Sequence, residues 1–257
     1  DDAGDYARRL QEERGLTYVH AFDDSYVIAG QGTLGLEILE ALPDVGTIIV
    51  PIGGGGLIGG VATAVRALKP DTRIIGVQAE GCPSVRMSLA AGKPVVVPEA
   101  RTIADGIAVK KPGNLTLPLI RDLVDDVVTV DDEDIARGIV YTLQNARLVA
   151  EGAGAVGVAA LLTGKVRPRP NEQVCVAVCG GNIDANFLAR VIEQVLVKQG
   201  RYIVLHTSVP DRPGNLAKML EHVAEQGANV IDINHRRAAW QVPVDRTGIE
   251  MILEVRD

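Results

Sequence analysis

Four consecutive glycines, Gly53, Gly54, Gly55 and Gly56, stand between an almost wholly apolar run at 47–52 (TIIVPI) and a helix-forming run at 57–68. The first run is short and rich in β-branched residues, as expected of a parallel strand buried on both faces. Lys69-Pro70 ends the helix, because proline cannot continue it. Arg73–Ala79 (RIIGVQA) then reads as a second strand. Strand, helix and strand make a βαβ unit, which demands a parallel sheet, helices on its faces and a right-handed crossover. The expected fold class is therefore α/β.

The same alternation continues along the chain. Helices are expected at 34–42, Thr116–Leu123, 134–148, Gly152–Leu162 and 187–197, and a strand at 173–178 (QVCVAV). In the 134–148 helix, Ile135, Ile139, Thr142, Leu143 and Ala146 share a side, and acids crowd its start, where the helix dipole favours them. Near Gln199 the pattern changes. Strands at 202–209, 229–238 and 249–255 with a helix at 216–225 suggest a separate α+β module with antiparallel pairing. The expected organisation is two domains, 1–198 and 199–257.

Composition narrows the function classes. The 257 residues exceed the roughly 150 of one typical domain. A net charge of −7 and 3% aromatic residues leave no electrostatic or stacking footprint for nucleic acid. An apolar content of 47% excludes disorder. Residues 45–65 are uncharged, but Pro51 and the glycines interrupt the run, so no membrane span is expected. Three cysteines, Cys82, Cys175 and Cys179, are an odd count in a long chain, which argues against a disulfide framework and for a reducing, cytoplasmic setting. Cys175 and Cys179 have neither a second pair nor a nearby histidine, so zinc is not expected.

The glycine run is the sharpest chemical feature. Successive backbone amides at a helix start, with no Cβ to block approach, make a phosphate cradle. A tight turn holding no ligand is the bland alternative. Gly54 to Gly59 also satisfies G-x-G-x-x-G, and Glu80 ends the next strand, so a nicotinamide-dependent oxidoreductase is a rival on spacing alone. A run so rich in glycine matches that pattern almost by default. A second glycine turn, Cys179-Gly180-Gly181-Asn182, also follows an apolar strand. Two such turns at strand C-ends point to one crevice above a parallel sheet. Cys179 itself could be a nucleophile, a ligand contact or a buried structural thiol.

Gly30-Gln31-Gly32-Thr33, Pro51-Ile52 with the glycine run and Leu57, Ala104-Asp105-Gly106, Pro112-Gly113-Asn114, Leu123-Val124-Asp125-Asp126, Glu151-Gly152-Ala153-Gly154-Ala155 and Cys179-Gly180-Gly181-Asn182 occur in that order. Over roughly residues 5–195 this set resembles the C-terminal half of the catalytic domain of threonine ammonia-lyases, with serine dehydratases and serine racemases close behind. These are pyridoxal-phosphate enzymes of the tryptophan-synthase-β type (fold type II). The resemblance implies that Gly53, Gly54, Gly55, Gly56 and Leu57 hold the phosphate of pyridoxal 5'-phosphate. It implies that Cys179 faces the pyridine nitrogen, that Glu151 lies near the ring, and that Gly106 brings its backbone close to the substrate. For Glu151 a helix N-terminal carboxylate is the equal alternative. The tail resembles an ACT domain, in which Asp211, Gly214 and Asn215 would receive an amino-acid effector such as isoleucine, valine or serine; an ordinary helix-capping turn is the alternative. The implied substrates are L-threonine and L-serine, and the implied assembly is a homo-oligomer.

The departures are as informative. The family's Schiff-base lysine lies in a Ser-x-Lys-x-Arg-Gly motif, and none of Lys69, Lys93, Lys110, Lys111, Lys165, Lys198 and Lys218 has that context. The catalytic lysine is therefore not assigned within this chain. With a start at Asp1 and an end on a strand, the expectation is a portion of a longer catalytic unit joined to most of an ACT module. In serine racemases a cation is held by acids matching Glu80 and a position occupied here by Arg86, so no metal is expected. A non-catalytic amino-acid-binding protein stays open as an alternative. The chain expressed as it stands should show no visible-range absorbance of a lysine-bound cofactor and release no ammonia from L-threonine. Either signal would overturn the fragment reading.

Overall fold

The structure, a computed structural model, describes residues 2–236 and 242–255. It forms two compact units, Asp1–Ile183 and Asp184–Asp257.

The first unit runs α1 (Asp2–Arg14), α2 (Ser25–Ala41), β1 (Val45–Pro51), α3 (Gly56–Leu68), β2 (Arg73–Ala79), α4 (Ser84–Ala91), α5 (Thr116–Leu123), β3 (Asp126–Val130), α6 (Asp132–Tyr141), α7 (Gly152–Leu162) and β4 (Gln173–Val176). Its sheet has the order β3-β2-β1-β4, and every pairing is parallel. Central β1 sets Ile48 beside Ile74 of β2 and Cys175 of β4. Ile48, Ile49 and Val50 are wholly buried, as two covered faces require. On one face Ile48 and Val50 join Ile38 of α2, Ile58, Val61 and Val65 of α3, and Leu117 and Ile120 of α5. On the other face α7 presses close. A Cβ on its Gly157 would stand 2.6 Å from Val176 and 3.3 Å from Ile49.

Several expected boundaries are corrected. The helix before β1 begins at Ser25, not at 34, because Asp24 caps it, its carboxylate accepting the amides of Tyr26 (2.8 Å) and Val27 (3.0 Å). The glycines at 30, 32 and 35 give that stretch the look of a loop. Two of them instead serve the crossing with α3. A Cβ on Gly60 would stand 2.6 Å from the Gly32 nitrogen and closer still to the Ile28 carbonyl. The helix expected over 134–148 starts at Asp132, widens into a π-helical turn over Thr142–Ala146, and ends where Arg147 turns left-handed at φ 59°. The strand expected over 173–178 stops at Val176. β3 was not expected, because Asp125 and Asp126 at an exposed sheet edge obscure its apolar residues.

The second unit comprises α8 (Ala185–Lys198), β5 (Tyr202–Pro210), α9 (Asn215–Glu225), β6 (Asn229–Arg236) and β7 (Arg246–Glu254). Its antiparallel sheet has the order β5-β7-β6. The central strand alternates, so Ile249, Met251 and Leu253 pack against Leu216, Met219, Leu220 and Val223 of α9. β7 begins at Arg246, ahead of the expected 249. Of the strand expected over 229–238, residues 237–238 lie outside the described residues. Among the described residues no helix is long and apolar enough to cross a membrane.

The α2–α3 crossing generates a paired prediction. Gly60→Ala should cost about 2–4 kcal/mol in urea unfolding, through overlap with backbone that cannot yield. Gly30→Ala, with open space around it, should be neutral or stabilise by about 0.5–1 kcal/mol through helix propensity. Equal effects at the two sites would contradict the close crossing.

Candidate functional site

Neighbouring parallel strands end at the same edge of a sheet. Chain order carries β1 to β2 to β3 in one direction and then returns to β4 on the other side of β1. The crevice at the C-ends of β1 and β4 is thus a topological switch point. Both glycine turns open onto it, one after each strand. Each carries one left-handed glycine, Gly55 and Gly180, both at φ +99°.

Gly55 is the N-cap of α3. Besides its left-handed φ, a Cβ there would stand 2.8 Å from Ile120 Cδ1 and from Thr116 Oγ1. The loop's other side is filled by Phe22, whose ring packs on Gly54 and whose backbone packs on Gly56. The need for glycine thus has a protein cause, close packing by Phe22, Thr116 and Ile120, where the sequence alone suggests close approach of a ligand. What stays available for a ligand is the row of amides. Among the described residues, the N–H groups of Gly53, Gly54, Gly55, Gly56 and Leu57 donate no hydrogen bond to a protein acceptor. Free amides at the start of a helix fit an anion.

Across the crevice, Glu151 stands at the N-cap of α7 without capping it by its side chain. Its Oε2 instead accepts the Asn182 amide at 3.1 Å, while its own amide donates to the Gly180 carbonyl at 3.2 Å. Glu151 is thus a carboxylate at a helix N-terminus, and its side chain ties α7 to the turn after β4 instead of bonding the first amides of α7. A Cβ on Gly106 would stand 3.1 Å from Glu151 Oε1, and one on Gly53 would stand 3.3 Å from Ile107 Cα. Gly53, Gly106, Glu151 and Gly180 therefore lie side by side, although up to 127 positions separate them in sequence (180 − 53). Cys179 is half-buried, and burial pushes its thiol above the usual 9.0, so it is a neutral S–H at neutral pH.

Sequence reasoning missed three residues of this region. His20 Nδ1 accepts the amides of Phe22 (3.2 Å) and Asp23 (2.9 Å) and so shapes the segment that covers the glycine loop. Asp23 accepts the amides of Asn114 (2.9 Å) and Leu115 (2.8 Å) at the start of α5. Thr116 Oγ1 donates to the Gly54 carbonyl at 2.6 Å. A turn signal could suggest a cap at Asp23, but nothing local links it to a helix start 91 positions away.

Elsewhere, Glu80 is exposed, and Arg86 bonds through its amide to Gln78 (3.0 Å) and through its guanidinium to Thr129 (3.1 Å). Among the described residues no group of three or more His, Cys, Asp or Glu is placed to share a metal ion. In the second unit, Asp211 and Gly214 line a cavity of about 480 Å³ with Arg212, Leu216, His235 and Thr247. Asn215 does not line it. Its Nδ2 donates to the Pro210 carbonyl at 3.1 Å and braces the turn.

Residues 1–180 match the family model described as pyridoxal-phosphate dependent enzyme. The chain is 49% identical over 257 residues to an L-threonine ammonia-lyase of Thermotoga maritima, covering 100% of this chain and 64% of that protein. It is 51% identical over 256 residues to an L-threonine ammonia-lyase of Geobacter sulfurreducens, covering 100% of this chain and 63% of that protein. The chain thus spans slightly less than two thirds of the length of these relatives. Among solved structures, maize serine racemase matches with a TM-score of 0.69 and 40% identity over 75% of this chain and 61% of that one.

Burial raises the thiols of Cys82, Cys175 and Cys179 alike above 9.0. The folded state then holds these protons more tightly than the unfolded chain. Their contribution to stability is complete below about pH 9 and is lost as pH rises through the higher folded values. Urea midpoints measured across that range should fall, and fall less steeply in Cys175→Ala. An unchanged slope in the variant would rule out its share.

Proposed function

The chain belongs to the pyridoxal-phosphate-dependent enzyme family, and from that membership we propose that the protein bearing it is a threonine ammonia-lyase. The reaction removes the α-proton and β-hydroxyl of L-threonine as water, and water then hydrolyses the released enamine, as its imine, to 2-oxobutanoate and ammonia, with L-serine giving pyruvate as a companion activity. The observation that carries this reading is the pair of threonine ammonia-lyases at 49% and 51% identity along the whole chain. Family membership also answers the nicotinamide alternative: the G-x-G-x-x-G spacing is incidental to a glycine-rich loop.

When bound, pyridoxal phosphate supplies an electron sink for the carbon that loses its α-proton. The residues of this chain would hold and tune it. The amides from Gly53 to Leu57, free of protein acceptors, receive the phosphate. Gly106 brings bare backbone to the substrate side of the crevice. Cys179, a neutral thiol, would face the ring nitrogen. Such a group does not hold a proton there as a carboxylate would, which weakens the sink and favours elimination over transamination-type chemistry. Glu151, tied to Asn182, closes the side of the crevice near the ring. None of the lysines has the family's Schiff-base motif, so the α-proton transfer is not assigned to a residue of this chain.

The second unit is read as an ACT-type amino-acid sensor, with the effector in the cavity beside Asp211 and Gly214. The N-terminus of α9 suits a carboxylate, with Gly214 as its N-cap at φ 90° and, among the described residues, only the Asn215 amide taken by the Arg212 carbonyl in its first turn. An effector there would tune activity by binding two states unequally. A cytoplasmic homo-oligomer completes the reading.

The likeness to maize serine racemase favours a second reading, racemisation of serine. Assay of the whole protein with L-threonine and L-serine separates them. The expected products are 2-oxobutanoate and pyruvate, with threonine preferred. D-serine as the main product would overturn the lyase reading. Cys179→Ser should keep elimination within about threefold, whereas Cys179→Asp, which would hold a proton on the ring nitrogen, should cut it about tenfold or more.

A further inference from the structure

A run of four glycines has no conformational preference of its own. Each of its peptide planes can turn either way at little cost, because glycine accepts both signs of φ. For the loop to present its amides to the crevice, the orientation must be imposed from outside. We propose that Thr116 imposes it, with Asp23 behind it, as positioning residues of the cofactor-phosphate site. The inference rests on the reading that the glycine loop binds that phosphate.

The Gly54 carbonyl receives two donors, Thr116 Oγ1 at 2.6 Å and the Gly113 amide at 3.2 Å. The described peptide bonds are trans, and in a trans peptide the C=O of one residue and the N–H of the next point in opposite directions. A Gly54 carbonyl held toward the start of α5 therefore turns the Gly55 N–H away from α5. That N–H is one of the amides without a protein acceptor. The Thr116 hydroxyl has a single proton, committed to Gly54, and its oxygen accepts the Gly113 amide at 3.1 Å. Its rotor is thus fixed from both sides. The residue is fully buried, so these bonds act without competition from water.

Asp23 sets the position of this clamp. Its carboxylate accepts the amides of Asn114, Leu115 and, at 3.4 Å, Thr116 itself. Three donors at one helix start form a strong, charge-assisted anchor. Gly113 leaves room for it, since a Cβ there would stand 2.8 Å from Thr116 Oγ1 and overlap the Asp23 carboxylate. The Asp23 amide is in turn held by His20 at 2.9 Å. A segment before α2, the start of α5 and the loop after β1 are thereby tied at one carbonyl. The same residues pack Phe22 on Gly54, so the loop is fixed by contact on one side and by hydrogen bonds on the other.

The test compares pyridoxal phosphate with pyridoxal, which lacks the phosphate, for binding to the whole protein stripped of cofactor. Equilibrium dialysis is run on wild type, Thr116→Val, Thr116→Ser and Asp23→Asn. Thr116→Val keeps the shape and removes the donor. It should weaken pyridoxal phosphate about tenfold and leave pyridoxal within about twofold, as loss of one buried hydrogen bond implies. Thr116→Ser, which keeps the hydroxyl, should stay within about threefold of wild type for both. Asp23→Asn should weaken the phosphate form selectively, and it serves should Thr116→Val fail to fold. A variant set that weakens both probes equally, or neither, overturns the positioning role and leaves the loop as the phosphate site. A wild-type protein that binds pyridoxal as tightly as pyridoxal phosphate overturns the phosphate reading itself.

Discussion

Parallel pairing of β1 with a strand on each side is the constraint on which the first unit depends. Because β2 and β4 both run alongside β1 in its own direction, their C-ends share one edge. The chain can reach β4 only after passing out through β2 and β3 and returning behind α7. Two loops distant in sequence are thereby delivered to one crevice. Burial of Ile48, Ile49 and Val50 makes that arrangement obligatory, since each face of β1 must be covered by helices.

The crevice is built from two kinds of support. On the β4 side, a carboxylate bridges helix and turn, with Glu151 holding the Asn182 amide. On the β1 side, the glycine loop carries no side chains and borrows its shape from Phe22, Thr116 and Ile120. Its glycines are thus needed twice over. They leave space for the protein's own packing, and the loop's amides stay without a protein acceptor among the described residues, a pattern that fits an anion. The second unit uses simpler means, an alternating central strand with one helix across its apolar face.

The parts of the fold legible in the sequence are those governed by local pattern. β2, α5 and α7 fall at the expected bounds because apolar runs, a proline and small-residue composition act within a few residues. The start of α2 is not legible in the sequence, because its glycines answer to α3 rather than to their own neighbours. The end of α6 was misjudged because its periodicity continues through a π-turn that local pattern does not reveal. Among site residues, Gly53 to Leu57 and Cys179 were marked by composition at strand ends. Glu151 is marked only by the family resemblance, because its partner, the Asn182 amide, lies in another loop.

The sequence by itself determined an α/β chain with a glycine cradle between strand and helix, a second glycine turn, and a smaller antiparallel module. Backbone propensity and hydrophobic period act along the chain, so they are visible there. Only the tertiary structure decided that His20, Asp23 and Thr116 converge beneath the cradle, and that Glu151 spans the crevice. Hydrogen bonds between residues 31 to 93 positions apart depend on which strand ends share an edge and which helix starts lie beside them. That is a property of the folded sheet, not of any segment.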